Sequence, residues 1–299
     1  VFHSSFRQEY NANVTGSNGK MNYFASAGYL QDGGIVDNSE LKRYTARTTV
    51  DYQAKKWLKL STGLSFTHTD SQSPQYDVNT YGSSGNLFYI TNNIAPIYPL
   101  YVRNADGSIK TEGGRVIYDA NQTGFQRPAI TGNAVRDNEY NSSHSYRDIL
   151  QGQWDVQITP IEGLVLDANL NAFSSNTRAN DLASAFANGQ ADDGIASVSA
   201  NRYFTVNQRY TINYDKSLGD HHFNILAGYE QYKLKYQYLS GSNTRLYDPF
   251  IGELGNAFGT SKKKNNSFTN NYMTEGFFGR VMYDYADKYF VNASLRRDA

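Results

Sequence analysis

The residues able to do chemistry are few in this chain. There are 5 His, at positions 3, 68, 144, 221 and 222, and no Cys, so a zinc–thiolate site, a disulfide framework and a thiol nucleophile are all excluded. His221 and His222 are adjacent beside a short turn. On a strand such neighbours point to opposite faces and cannot share a metal, so they read as solvated turn residues. No Asp-His pattern is identifiable around His68 or His144, which leaves general-base catalysis without a pair. Asp192-Asp193-Gly194 lacks the alternating acids and closing Glu of a calcium loop, and Asp106-Gly107 reads as a hairpin turn. Lys262-Lys263-Lys264 reads as a solvated loop tip. A phosphate loop, a GxSxG elbow and an HExxH motif are all missing. The chain is therefore read as no enzyme, with no catalytic residue, metal or cofactor. Its 28 Lys+Arg balance 28 Asp+Glu, which argues against a nucleic-acid partner.

Aromatic residues are the remaining chemical resource, with 25 Tyr, 16 Phe and 2 Trp. The longest loop, 70–141, carries Tyr76, Tyr81, Phe88, Tyr89, Tyr98, Tyr101 and Tyr118. A loop of that length is usually functional or disordered, and ring faces stack on sugars or pack against a covering protein. Tyr76, Tyr81, Tyr89 and Tyr98 are the substrate-binding candidates. The rival reading makes these rings the loop's own small core.

The elements that must carry this loop are strands. Leu164, Leu166, Ala168, Leu170 and Ala172 alternate with Asp167, Asn169 and Asn171. Leu58, Leu60, Leu64 and Phe66 alternate with Lys59, Ser61, Gly63 and Ser65, and Val156 and Ile158 with Asp155 and Gln157. Each such segment has one apolar and one polar face. About ten of them occur, over 2–15, 20–31, 41–53, 57–69, 142–159, 164–174, 200–215, 221–238, 272–285 and 288–298. Connections alternate: short near 16–19, 54–56, 160–163, 216–220 and 286–287, long at 32–40, 70–141, 175–199 and 239–271. Outer-membrane barrels sort their loops this way. Mean hydropathy of -0.63 excludes membrane helices but not a barrel, whose strands alternate. Tyr52 and Trp57, Tyr214 and Phe223, and Tyr285 and Tyr289 flank short turns and read as an interfacial girdle. Arg47, Arg147, Asp155, Arg209 and Arg280 fall on the polar faces. A packed core would leave them unpaired at several kcal/mol each, so they are expected to line a water-filled lumen. Ten strands close only a narrow lumen, so these are expected to be part of a larger barrel.

The residues also carry a resemblance. Gln8-Glu9-Tyr10-Asn11-Ala12-Asn13-Val14-Thr15-Gly16 with Met21-Asn22-Tyr23-Phe24-Ala25-Ser26-Ala27-Gly28-Tyr29-Leu30 resembles a hairpin of the SusC/RagA family of TonB-dependent outer-membrane transporters of Bacteroidetes-type bacteria. Ala95-Pro96-Ile97-Tyr98-Pro99-Leu100-Tyr101 is similar to that family's long loop. The tail Asp287-Lys288-Tyr289-Phe290-Val291-Asn292-Ala293-Ser294-Leu295-Arg296-Arg297-Asp298 is the most specific match, though Ala299 stands where the family usually has Gly. The resemblance implies an all-β fold: an antiparallel up-and-down transmembrane β-barrel, with about ten strands of a barrel of about 22. Residues 1–299 would then be part of one barrel domain with an extracellular loop at 70–141, and the plug and TonB-contacting segment would lie outside this chain. It further implies import of oligosaccharides or peptides, a SusD-like surface lipoprotein as lid, the TonB complex as energy source, and outer-membrane lipid around the barrel. The competing classes are a barrel protease of about ten strands, with Asp/His pairs at its rim, and a soluble β-rich adhesin or binding module.

Overall fold

The computed structural model describes residues 3–74, 92, 94–119, 133–187, 193–259 and 263–299. Ten long strands form a single sheet: β1 (Arg7–Ser17), β2 (Met21–Gly33), β3 (Glu40–Lys55), β4 (Leu58–Ser73), β7 (Ser142–Ile161), β8 (Leu164–Ala183), β9 (Ile195–Leu218), β10 (His221–Thr244), β11 (Lys264–Tyr285) and β12 (Tyr289–Asp298). The two-residue strands β5 (Thr111–Glu112) and β6 (Arg115–Val116) form a separate hairpin in the long loop, followed by helix α1 (Ala134–Tyr140). Every long strand runs antiparallel to its neighbour in the sheet, as short turns require. β1 and β12 each have one partner only, so the sheet is open and the ladder that would close a ten-stranded barrel is absent. At the β7–β8 turn Gly163 has φ 84°, and a Cβ there would stand 2.1 Å from the Asp215 carbonyl oxygen, so both the conformation and the space demand glycine.

Register makes the faces continuous. Tyr52 pairs with Leu60, Leu60 with Val156, Val156 with Ala168, Ala168 with Tyr210, Tyr210 with Tyr229, and Tyr229 with Phe277. One residue away a polar row runs from Ser17 through Asn22, Asp51, Ser61, Asp155, Asn169, Arg209, Glu230 and Gly276 to Asp298. Since a slip of one residue would swap every face, this parity, kept over all ten strands, makes one apolar sheet surface and one polar one.

The rows do not run parallel to the turn end. Along one row, Met21 is the first residue of β2, Leu60 the third of β4, Ala168 the fifth of β8 and Tyr229 the ninth of β10. With ~3.4 Å per residue and ~4.8 Å between strands, that drift corresponds to strands tilted about 43° from the perpendicular to the sheet's turn edge, close to the slope of outer-membrane barrels.

The apolar set faces outward from any core. Leu60, Leu64, Leu170, Val291 and Leu295 are exposed, Leu295 by 80%, and Leu58, Val156, Ile158 and Leu166 are half-buried. None belongs to a buried core, which removes the soluble-sandwich reading. The buried apolar residues lie instead at the long-loop ends of strands or in the loops: Leu182, Ala196 and Leu246 pack together with Ala257 against them.

The strands extend further toward the long loops than alternation indicates. β8 reaches Ala183, β9 starts at Ile195, β10 reaches Thr244 and β11 starts at Lys264. A membrane crossing takes about 9–11 residues. Beyond it both faces meet water, so the apolar alternation fades while the backbone ladder continues.

Leu170 and Asn171 are neighbours on opposite faces of β8. Leu170→Arg is expected to destabilise the folded barrel by about 2–4 kcal/mol, and Asn171→Arg by less than about 1 kcal/mol. Urea-dependent folding into lipid vesicles measures both, and equal losses would contradict the assignment of faces.

Candidate lumen face and loop crown

The residues expected to line a lumen share the polar face. Arg47 lies in β3, Arg147 and Asp155 in β7, Arg209 in β9 and Arg280 in β11, all in phase with the polar row. Several bonds knit this face. Ser61 Oγ donates to Asp51 at 2.5 Å, Asn169 Nδ2 to Asp155 at 3.3 Å, and Arg147 Nε to Ser175 Oγ at 3.3 Å. Arg296 reaches Glu230 at 3.3 Å and Asp298 at 2.8 Å, while Arg280 Nη2 lies 3.5 Å from Asn224 Oδ1. Arg47 and Arg209 make no ion pair with any described residue, so each presents free guanidinium donors. Such donors bind carboxylate or polyol oxygens.

Two histidine sites differ from the sequence reading. His222 is partly solvated beside the turn, as expected, but is also paired: its Nδ1 meets Asp284 at 2.7 Å and its Nε2 meets Asp215 at 3.0 Å, and Asn224 donates to Asp215 at 2.8 Å. The parity of β10 placed His222 on the polar face opposite Phe223, but its partners come from two other strands and only register reveals them. His68 does have an acid, with Nδ1 2.6 Å from Asp148. Neither site is built as a catalytic base. Both ring nitrogens of His222 are taken by carboxylates, and His68 lies on the Leu60–Leu64 face rather than the polar one.

At the long-loop end an aromatic crown joins three loops. Tyr101 and Tyr118 pair as an isolated bridge with rings 5.1 Å apart. Tyr118 is 8% exposed and its hydroxyl donates to Glu139. Burial and that carboxylate both push the Tyr118 phenol well above its ordinary range. Tyr140 meets Tyr118 edge-on at 6.1 Å, Phe186 at 5.6 Å and Phe250 at 6.1 Å. The Arg115 guanidinium lies 4.4 Å from the Phe186 ring and 4.5 Å from the Phe250 ring. So Tyr101 and Tyr118 serve the loop's own packing. Tyr98 is half-buried, with its N–H on the Ala95 carbonyl at 3.1 Å. Tyr76, Tyr81, Phe88 and Tyr89 lie outside the described residues, as do Asp192 and Lys262.

Asn133 anchors this crown. Its Oδ1 accepts from the N–H groups of Val135 and Arg136, capping α1, while its Nδ2 donates to the carbonyls of Leu100 at 2.8 Å and Asp119 at 3.0 Å. Asn38 and Asn138 tie the β2–β3 loop to the same helix: Asn38 Nδ2 donates to the Asn138 carbonyl at 2.6 Å, and Asn138 Nδ2 to the Asp37 carbonyl at 2.8 Å.

A second aromatic girdle was not anticipated. On the apolar face Tyr10, Tyr29 and Tyr44 form a chain at 6.5 and 5.0 Å. Tyr210, Tyr229 and Phe277 form another at 6.4 and 4.9 Å. The signal in the sequence is a six-residue spacing, Tyr23 to Tyr29, Phe223 to Tyr229 and Phe277 to Tyr283, which brackets two small or aliphatic residues on one face. The apolar band is thus bounded at both ends.

No family model matches the chain. It is 24% identical to TonB-dependent receptor P26 of Formosa agariphila over 97% of its own length and 28% of the receptor's. It is also 24% identical to TonB-dependent receptor P3 of the same organism, over 95% of this chain and 27% of that one. It therefore spans about a quarter of the length of the curated relatives it matches. Its fold matches the structure of the RagAB peptide transporter with a TM-score of 0.73 and 21% identity, covering 98% of this chain and 32% of that one. These comparisons bear out the resemblance to TonB-dependent transporters, and the open antiparallel sheet has the fold of part of the barrel of such a transporter.

Asn133→Ala removes a helix cap and one donor to each of the Leu100 and Asp119 carbonyls. The expected cost is about 1–3 kcal/mol, confined to the crown. Limited proteolysis should then cut the 94–141 region faster while the barrel's thermal unfolding stays unchanged.

Proposed function

We propose that this chain forms part of the wall and outer crown of a TonB-dependent transporter that imports oligosaccharides or peptides across the outer membrane. The observation that carries this reading is the continuous polar face. A polar row runs across the sheet from Ser17 to Asp298, interrupted only at Gly276, with Arg47 and Arg209 making no ion pair among the described residues, and only a hydrated interior solvates such a surface on the inside of a barrel. In lipid the bare edges of β1 and β12 would leave rows of N–H and C=O groups unsatisfied, so both edges are proposed to pair with further strands. The number of strands would be about 22, as in the large plugged transporters.

In this reading Arg47, Arg147, Asp155, Arg209 and Arg280 line the passage. Tyr98 and the rings at 76, 81 and 89 meet cargo at the mouth. The crown formed by Tyr140, Phe186 and Phe250 is a rigid rim on which a SusD-like surface lipoprotein seats. A plug and a TonB-contacting segment of the same transporter would complete the energised gate. The RagAB likeness lends weight to peptides, whose carboxylates and amides suit the free guanidinium groups. The exposed crown rings equally suit sugar faces.

The test is uptake of labelled peptides and oligosaccharides by cells with and without the gene. Uptake of one class is expected to vanish on deleting the gene and equally on deleting TonB. Uptake that persists without TonB would contradict the reading. Arg47→Gln with Arg209→Gln is expected to slow uptake by about fivefold, the equivalent of roughly 1 kcal/mol in cargo affinity, with unchanged amounts of folded protein.

A further inference from the structure

The apolar face carries charges above its upper girdle, and most of them are paired. Lys42 meets Glu40 at 2.7 Å, His68 meets Asp148 at 2.6 Å, and Arg178 holds Glu253 through bonds of 2.9 and 3.0 Å. β9 and β10 break this rule. Arg202, Lys233 and Lys235 are all exposed and on this face, and none makes an ion pair with a described residue. Lys235 pairs in register with Phe204 and Gln237 with Arg202, so Lys235 and Arg202 are diagonal neighbours on adjoining strands.

The position of these cations is set by the girdle below them. On β10 the outward residues run Phe223, Ile225, Ala227 and Tyr229, then Gln231, Lys233, Lys235 and Gln237. A hydrogen-bonded strip closes the apolar band. Tyr210 donates to Gln208 at 3.1 Å, Gln208 to Gln231 at 3.1 Å, Gln231 to the Tyr229 hydroxyl at 3.0 Å, and Tyr229 to Glu275 at 3.1 Å. Glu275 is thereby engaged below the cations, and Asp148, which lines a groove above them, is held by His68. Directly above Lys235 the face opens into this groove, of about 790 Å³, whose lining includes Asn176, Arg202, Gln237, Leu239 and Thr269.

We propose that Arg202, Lys233 and Lys235 bind the phosphate-bearing headgroup of an outer-leaflet glycolipid, with the groove beside Arg202 receiving its sugar. Cations just beyond an apolar band are drawn to anionic headgroups, and the long Lys stems lie along the rings beneath them. The groove's lining mixes amide and hydroxyl groups with the rings of Tyr146 and Phe268 and with His68, Asp148 and Arg178, and such a combination of ring faces and hydrogen-bonding groups suits a carbohydrate ring. This inference rests on the barrel-wall reading and is independent of the cargo.

The test uses the full-length protein, purified from outer membranes in mild detergent. Native mass spectrometry counts retained lipid after addition of diphosphorylated lipid A or its dephosphorylated counterpart. The wild type is expected to retain the phosphorylated lipid. The triple variant Arg202→Gln, Lys233→Gln, Lys235→Gln should lose about tenfold or more of that retention, and Lys235→Gln alone about threefold. Lys55→Gln with Lys56→Gln, at the turn end of the sheet, should retain lipid as the wild type does. Heat-resistant migration on gels confirms that each variant is folded. Equal retention by wild type and triple variant would overturn the site. So would equal retention of the dephosphorylated lipid, or displacement by millimolar inorganic phosphate. Absence of the protein from the outer-membrane fraction would instead overturn the barrel reading.

Discussion

The backbone ladder is the constraint on which everything else depends. Inside a bilayer no water satisfies an unpaired N–H or C=O, so each strand must be bonded along its whole length to a neighbour. The antiparallel pairing from β1 to β12 meets that demand for every strand between the two edges. Because pairing fixes register and register fixes which way each side chain points, the same ladder sorts Leu60, Val156 and Ala168 to one surface and Ser61, Asp155 and Asn169 to the other. The drift of the rows along successive strands follows as well, since a closed barrel needs tilted strands.

Where the ladder leaves the bilayer a different kind of packing takes over. Most buried apolar side chains gather in the crown and at the strand ends beneath it, among them Tyr118, Ala134, Leu182, Ala196 and Leu246. The crown also has the buried amides, Asn133 and Asn138, whose hydrogen bonds hold loops to one another. A buried amide left without partners costs more than its bonds contribute when made, which makes each of these contacts specific. The cation between Phe186 and Phe250 joins the hairpin of β5 and β6 to two other loops. Rigid strands thus carry a rim that is itself a small folded unit.

Much of this was legible before any coordinates. Period-two alternation located all ten strands, because one face must suit lipid and the other water. Loop lengths gave the polarity of the sheet, and in-phase Arg47, Arg147, Asp155, Arg209 and Arg280 gave its polar face. The missed features share a cause. The extra length of β8, β9, β10 and β11 lies where both faces are wet and no alternation marks a strand. The Asp215–His222–Asp284 and His68–Asp148 contacts join residues far apart in sequence, and a single segment read alone says nothing of its register with the next. The crown's core was invisible because loop packing has no period. The resemblance to a known family supplied what periodicity could not, namely an expected barrel size and the proposed role in import.

The central claim is that one sheet surface meets lipid and the other meets water. The chain has no Cys, so single cysteines introduced from Leu164 to Ala172 report on one residue at a time. In the full-length protein in vesicles, a water-soluble maleimide should label positions 165, 167, 169 and 171 readily. Positions 164, 166, 168, 170 and 172 should resist it, and a fluorophore placed there should be quenched by lipid-borne nitroxide. Strict alternation over these nine positions is the predicted result. Uniform labelling, or quenching on the odd positions, would contradict the account.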